Sequence, residues 1–154
     1  MREILFRGKR EDNGEWVQGR NILTLILDQS EELEVYIAQS GAGYSADIDE
    51  AGNLLLTKGE LYKVDPETVG QYTGLKDKNG TKIFEGDIVK RLFYFGLPVL
   101  SVVTFKNGAF GLEWNRGKVK EFSAFTSICN CTYEVIGNVY DNAEMLKGGV
   151  IDER

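Results

Sequence analysis

Cys129 and Cys131 are the only thiols in the chain, and a single residue separates them. A closed zinc centre takes four thiolate or imidazole ligands, and no histidine is present to complete one. If Asn130 lies in a strand, both thiols point to one side and pack as small apolar groups. A bridge across one residue would be strained and would close almost no loop, so reduced thiols are expected. The missing histidine also removes Ser-His-Asp and Cys-His nucleophilic catalysis in their usual forms.

Acidic residues are the next candidates. Asp47-x-Asp49 and Asp77-x-Asn79 begin like calcium loops, which need glycine at position six and glutamate at twelve. From Asp47 those positions hold Gly52 and Lys58, and from Asp77 they hold Lys82 and Ile88, so neither loop is complete. Glu85 and Asp87 are spaced as a catalytic pair, but they flank Gly86 where a strand is expected to begin, and turn acids are the preferred reading. Gly41-Ala42-Gly43-Tyr44-Ser45-Ala46 imitates a dinucleotide fingerprint. The acids Asp47, Asp49 and Glu50 follow where a helix should offer its amides to phosphate, so a glycine loop is expected there. No cofactor and no metal are expected.

One segment pairs bases with aromatics. Lys76, Lys78, Lys82, Lys90 and Arg91 interleave with Phe84, Phe93, Tyr94 and Phe95. Such a segment suits single-stranded nucleic acid, through phosphate pairing and base stacking, with Tyr94 as a stacking residue. Glu85-Gly86-Asp87-Ile88-Val89-Lys90 also resembles the start of a strand in SH3-like barrels. The opposing reading puts the aromatics in a core and scatters the lysines around turns. Charge weighs against nucleic acid: the net charge is −6, and residues 21–70 alone carry two bases and ten acids. Non-specific binding depends on neutralising phosphates, so nucleic acid is the alternative and not the favoured partner.

Short strands must position these groups. Eighteen glycines and two prolines in 154 residues supply turns between short apolar runs. Asn13-Gly14, Asn79-Gly80 and Asn107-Gly108 each supply a turn, and three β-hairpins are expected around them. Phe6–Gly19 and Tyr72–Gly86 share an aromatic, x, Gly, x, basic, Asn-Gly spacing. The few ways of writing a hairpin account for that match better than duplication does. Further strands are expected at Ile22–Leu27, Leu33–Gln39, Asn53–Thr57, Glu60–Val64, Asp87–Phe93 and Thr132–Val139. Asp141-Asn142-Ala143-Glu144 reads as the capped start of one short C-terminal helix, stopped by Gly148-Gly149. The result is an all-β chain of several hairpins in bent sheets, one domain over residues 1–154, with residues 28–67 as an acidic lobe or insertion. No apolar run approaches the twenty residues of a spanning helix, and the start lacks the features of a signal peptide, so no membrane partner is expected.

Three blocks together resemble a family. Phe6-Arg7-Gly8-Lys9-Arg10 with Gly14-Glu15-Trp16-Val17-x-Gly19 is similar to its opening. Asp65-Pro66-Glu67-Thr68-Val69-Gly70-Gln71-Tyr72-Thr73-Gly74-Leu75-Lys76-Asp77, continuing through Asn79-Gly80 to Glu85-Gly86-Asp87-Ile88-Val89, resembles its centre. Tyr133-Glu134-Val135-Ile136-Gly137-Asn138-Val139-Tyr140-Asp141-Asn142 resembles its close. The family is the YopX-like proteins of Gram-positive phages and prophages. Residues 20–64 and 91–130 carry no matching motif. The resemblance implies an all-β fold of coiled, irregular sheets and a phage-encoded protein in the bacterial cytoplasm. It implies no known activity and no catalytic residues.

With no catalytic constellation in view, the expected role is that of a non-enzymatic accessory protein that binds a phage or host protein. Nucleic-acid binding through 76–95 is the alternative, and a carboxylate-based, metal-dependent enzyme using Asp47, Asp49, Glu85 and Asp87 is the third reading. Strand edges and the run Phe93-Tyr94-Phe95-Gly96-Leu97 also lead us to expect a homo-oligomer.

Overall fold

The structure, a computed structural model, describes residues 1–26, 33–39, 45–51, 54–57, 61–92, 98–125 and 132–148, with the backbone alone at 26, 45–48, 54–57, 92 and 132. The thiols Cys129 and Cys131, most of the glycine run at 41–44 and the apolar run Phe93–Leu97 lie outside the described residues. The chain divides into two compact units, Met1–Gln71 and Tyr72–Arg154. The first holds seven bases and fourteen acids, net −7; the second holds eleven bases and ten acids, net +1.

In the first unit, β1 (Phe6–Lys9) and β2 (Trp16–Ile26) form the expected hairpin, with Phe6 opposite Gly19 and Lys9 opposite Trp16. The sequence suggests two strands between residues 16 and 27, but β2 is one strand of 11 residues. A bulge between Gly19 and Asn21 shifts its register against β3 (Leu33–Gln39) and lets it bend without ending. β4 (Ser45–Ile48) and β5 (Leu54–Thr57) make a separate two-stranded sheet, so residues assigned from sequence to the end of a glycine loop are strand. β6 (Leu61–Val64) pairs with β3, giving the order β6-β3-β2-β1. The first residues of β7 (Gly70–Lys76) then pair with β1. Val17, Val35, Ile37 and Val64 form the core of this unit, with Phe6, Tyr62 and Val69 against it. Gly8 and Gly19 leave the space that Ile37 fills. A Cβ on Gly19 would lie 1.8 Å from the Ala38 carbonyl oxygen and 2.8 Å from Ile37 Cγ2.

In the second unit, β7 turns back into β8 (Lys82–Phe84), pairing Tyr72 with Phe84 and Lys76 with Lys82. A five-stranded antiparallel sheet follows in the order β12-β11-β10-β9-β13. Its strands are β9 (Asp87–Leu92), β10 (Val99–Lys106), β11 (Ala109–Arg116), β12 (Val119–Ala124) and β13 (Thr132–Asn138). The Asn107-Gly108 turn has positive φ at both residues, +52° and +79°, as a two-residue hairpin turn requires, with Lys106 opposite Ala109. Ile83, Val89, Val103 and Leu112 make the second core, with Trp114, Phe125, Tyr133 and Val135 packed on it.

The fold is all-β, as expected, and its helical segments are short 3-10 turns. Pro66–Thr68 is capped by Asp65, whose carboxylate accepts from Glu67 N. Ala143–Gly148 stands where the C-terminal helix was expected, but it is a 3-10 helix. It starts one residue after Asn142, not from a cap at Asp141, because Asp141 N donates back to Asn138 Oδ1. Among the described residues no helix is long and apolar enough to cross a membrane.

Candidate functional site

Alternation along β9 decides the fate of the basic segment. Neighbouring residues of a strand face opposite ways, so Lys90 and Arg91 cannot share a surface. Arg91 turns toward the core, is 4% exposed, and holds its guanidinium 4.5 Å from the Trp114 ring. Lys90 faces the other way, opposite Leu100 on one side and Glu134 on the other. Lys78 pairs with the same Glu134, Nζ to Oε2 at 2.7 Å. Lys76 is exposed, and Lys82 lies across from it with its ammonium 5.4 Å from the Tyr72 ring. Phe84 is 2% exposed and packs against Tyr72, ring centroids 5.5 Å apart. Tyr94, with Phe93 and Phe95, lies outside the described residues. Lys76 and Lys82 are therefore brought together, Lys78 is held by the glutamate that stands opposite Lys90, and Arg91 is taken into the core.

The acids proposed as a catalytic pair are also separated in role. Glu85 sits half-buried in the turn before β9, while Asp87 is 1% exposed and its Oδ2 accepts from Phe84 N at 2.7 Å. Asp49 Oδ1 accepts from Ala51 N across its own turn. For Asp47 only the backbone, within β4, is described.

The calcium-loop comparison hides how Asp77 is used. Its Oδ1 accepts from Asn79 N at 2.8 Å and Thr81 N at 2.9 Å, closing the turn between β7 and β8. Its Oδ2 reaches across 58 residues of sequence to accept from Val135 N at 3.0 Å, and Lys78 N donates to Tyr133 O beside it. Burial raises the Asp77 carboxyl pKa, and the amides of Val135, Thr81 and Asn79 more than reverse that, leaving it below the usual value. An aspartate three residues before glycine is a turn signal that the incomplete calcium-loop comparison overlooked.

The other blocks join in the same way. Val139 N donates to Gly86 O, and the Tyr140 ring lies 3.0 Å from where a Gly86 Cβ would stand. Asn138 N donates to Asn142 Oδ1, and Asn142 N to Asn138 O. In the first unit, Thr68 Oγ1 accepts from Lys9 N at 2.8 Å, and Asp65 N donates to Lys9 O at 2.9 Å. The three blocks picked out in sequence are thus the segments that bond to one another within each unit.

The first unit also has a depression of about 390 Å³ lined by Arg10, Glu11, Asp12, Leu61, Tyr62 and Lys63. Its charges are matched. Arg10 lies 4.3 Å over the Tyr62 ring and pairs with Asp12. Lys63 pairs with Glu11 at 3.3 Å and Glu34 at 2.7 Å. The hydrogen bond from Lys63, with a second from the Tyr36 hydroxyl, holds the Glu34 carboxyl below its ordinary pKa.

The hairpins of the two similar segments differ in detail. The first turn is closed by Gly14 N to Arg10 O and Arg10 N to Glu15 O; the second by Gly80 N to Asp77 O and Asp77 N to Thr81 O. Gly8 is buried under Val64 and Ile37, while Gly74 is exposed with φ of +89°. The shared spacing is hairpin chemistry used in two geometries.

A family model described as YopX protein matches residues 5–147. No curated protein matches the chain. Among solved structures, the chain is similar to the crystal structure of protein EF1440 from Enterococcus faecalis, at 26% identity and a TM-score of 0.53. The match covers 93% of this chain and 97% of that one. The match over nearly its whole length shows that the chain belongs to the YopX protein family.

Proposed function

We propose that this protein is a phage- or prophage-encoded accessory protein of the bacterial cytoplasm that acts by binding another protein, not by catalysing a reaction. What supports this most is the use made of the charged residues in 72–91. The carboxylates of Asp77 and Asp87 accept from backbone amides, Lys78 is held by Glu134, and Arg91 is stacked in the core. Groups spent in this way hold strands in register. Family membership supports the phage association through the resemblance of the three blocks.

Nucleic acid is the alternative partner, since Lys76 and Lys82 stand together at the surface. A fluorescence-anisotropy titration with single-stranded DNA and RNA, at low and at physiological salt, separates the two. The proposed role predicts no binding at either salt. Binding that weakens steeply with added salt would overturn it in favour of a phosphate-neutralising surface.

A further inference from the structure

The two edges of the five-stranded sheet are finished differently. On β13, Tyr133 and Val135 turn their backbone groups away from β9. The Asp77–Lys78 turn takes them, with Val135 N donating to Asp77 Oδ2 and Tyr133 O accepting from Lys78 N. On β12, among the described residues, no strand or turn does this. Arg116 and Val119 close the two-residue Gly117-Lys118 turn, so Val119 points its backbone groups at β11. Alternation then leaves those of Lys120, Phe122 and Ala124 facing outward. The strand holds no proline and no bulge, its charges Lys120 and Glu121 are paired within the sheet to Glu113 and Arg116, and its Val119 side chain is 62% exposed.

We infer that β12 is an association edge and that its occupant is β12 of a second copy of this chain, added antiparallel about a two-fold axis at Phe122. Charge and strand length together select the register, since a two-fold at Ser123 or Ala124 also avoids like charges but sets Lys120 against residues beyond β12. A two-fold at Lys120 or at Glu121 sets identical charges against each other. A two-fold at Phe122 opposes Phe122 to itself, Lys120 to Ala124, Glu121 to Ser123 and Val119 to Phe125, with no like charges opposed. It also brings the outward backbone groups of Lys120, Phe122 and Ala124 face to face, giving a continuous antiparallel sheet of ten strands, five from each copy.

The inference rests on the binding role only in taking a second copy as a protein partner. A monomer that ignores nucleic acid would sink it and leave that role standing. The test is sedimentation equilibrium of the full chain over a concentration series, with far-UV circular dichroism confirming the fold of each variant. A monomer–dimer equilibrium is expected. Ser123→Lys places an ammonium opposite Glu121 of the other copy, twice per dimer, and lowers the midpoint concentration by about fivefold, while Ser123→Glu raises it by about as much. Lys120→Pro removes an outward N–H without touching the β11–β12 ladder and abolishes the dimer. A chain that stays monomeric to millimolar concentration, or a dimer indifferent to all three substitutions, would overturn the inference.

Discussion

The two units are held by different chemistry. In Met1–Gln71 the decisive contacts are steric: Ile37, fully buried, sits against Gly8 and Gly19, and its burial contributes about 2 kcal/mol or more. Charges there pair on the surface, as Lys63 does with Glu11 and Glu34. In Tyr72–Arg154 the decisive contacts are polar and reach across sequence: Asp77 to Val135 and Gly86 to Val139. The lesson is that a motif rich in glycine and acid need not mark a ligand site. Glycine can be an empty space for a neighbour, and aspartate can be an acceptor for backbone N–H groups with no partner in their own ladder.

Breaking the steric device should have the larger effect. Gly19→Ala drives a methyl group into the Ala38 carbonyl, backbone that cannot move without breaking the β2–β3 ladder. We expect a loss of about 3–5 kcal/mol, read as a fall in the urea midpoint, or no folded protein at all. Retention of wild-type stability would mean that Ile37 and β3 have freedom the packing denies them.

Breaking the polar device should cost less and depend on pH. Asp77→Ala removes the acceptor from three amides, one of them in another strand, and should cost about 2–4 kcal/mol at neutral pH. The Asp77 carboxyl is held below its ordinary pKa, so its stabilising share is fully present above that ordinary value. That share is lost as the pH falls through the depressed value of the folded state. Urea midpoints of wild type and Asp77→Asn should therefore differ at pH 7 and converge toward pH 2; a constant gap would assign the effect to shape and not to charge.

The smallest effect is expected at Ser101. Its Oγ is fully buried beside Val89 and Val103 with no hydrogen-bond partner among the described residues. Ser101→Ala should leave stability unchanged or raise it by up to about 1 kcal/mol in the same urea titration. A clear loss would reveal a partner for that hydroxyl.

Local patterns were legible in the sequence. The Asn107-Gly108 hairpin and β3, Leu33–Gln39, match the sequence reading, because positive-φ turns and β-branched runs leave a local signature. β12 was passed over because Val119-Lys120-Glu121-Phe122 is only half apolar and borrows its order from pairing with β11. Whether Phe84 and Arg91 belong to a surface or a core is open in the sequence, since a lone aromatic or a lone cation does not say which way its strand faces; the structure buries both. The Asp77 latch was hidden for another reason: the turn is local, but its third donor is at Val135, and such a long-range pair is invisible in one chain.

The central claim is that the motif residues bond to one another to build the fold. Native-state hydrogen exchange at single amides tests it most directly. The amides of Asn79, Thr81 and Val135 should be protected in the wild-type protein and should lose protection together in Asp77→Ala, while that of Val103, in the middle of the sheet, keeps more of its own. If Val135 stays protected when Asp77 is gone, or if the three amides exchange freely in the wild type, the carboxylate does not hold these strands and the account is wrong.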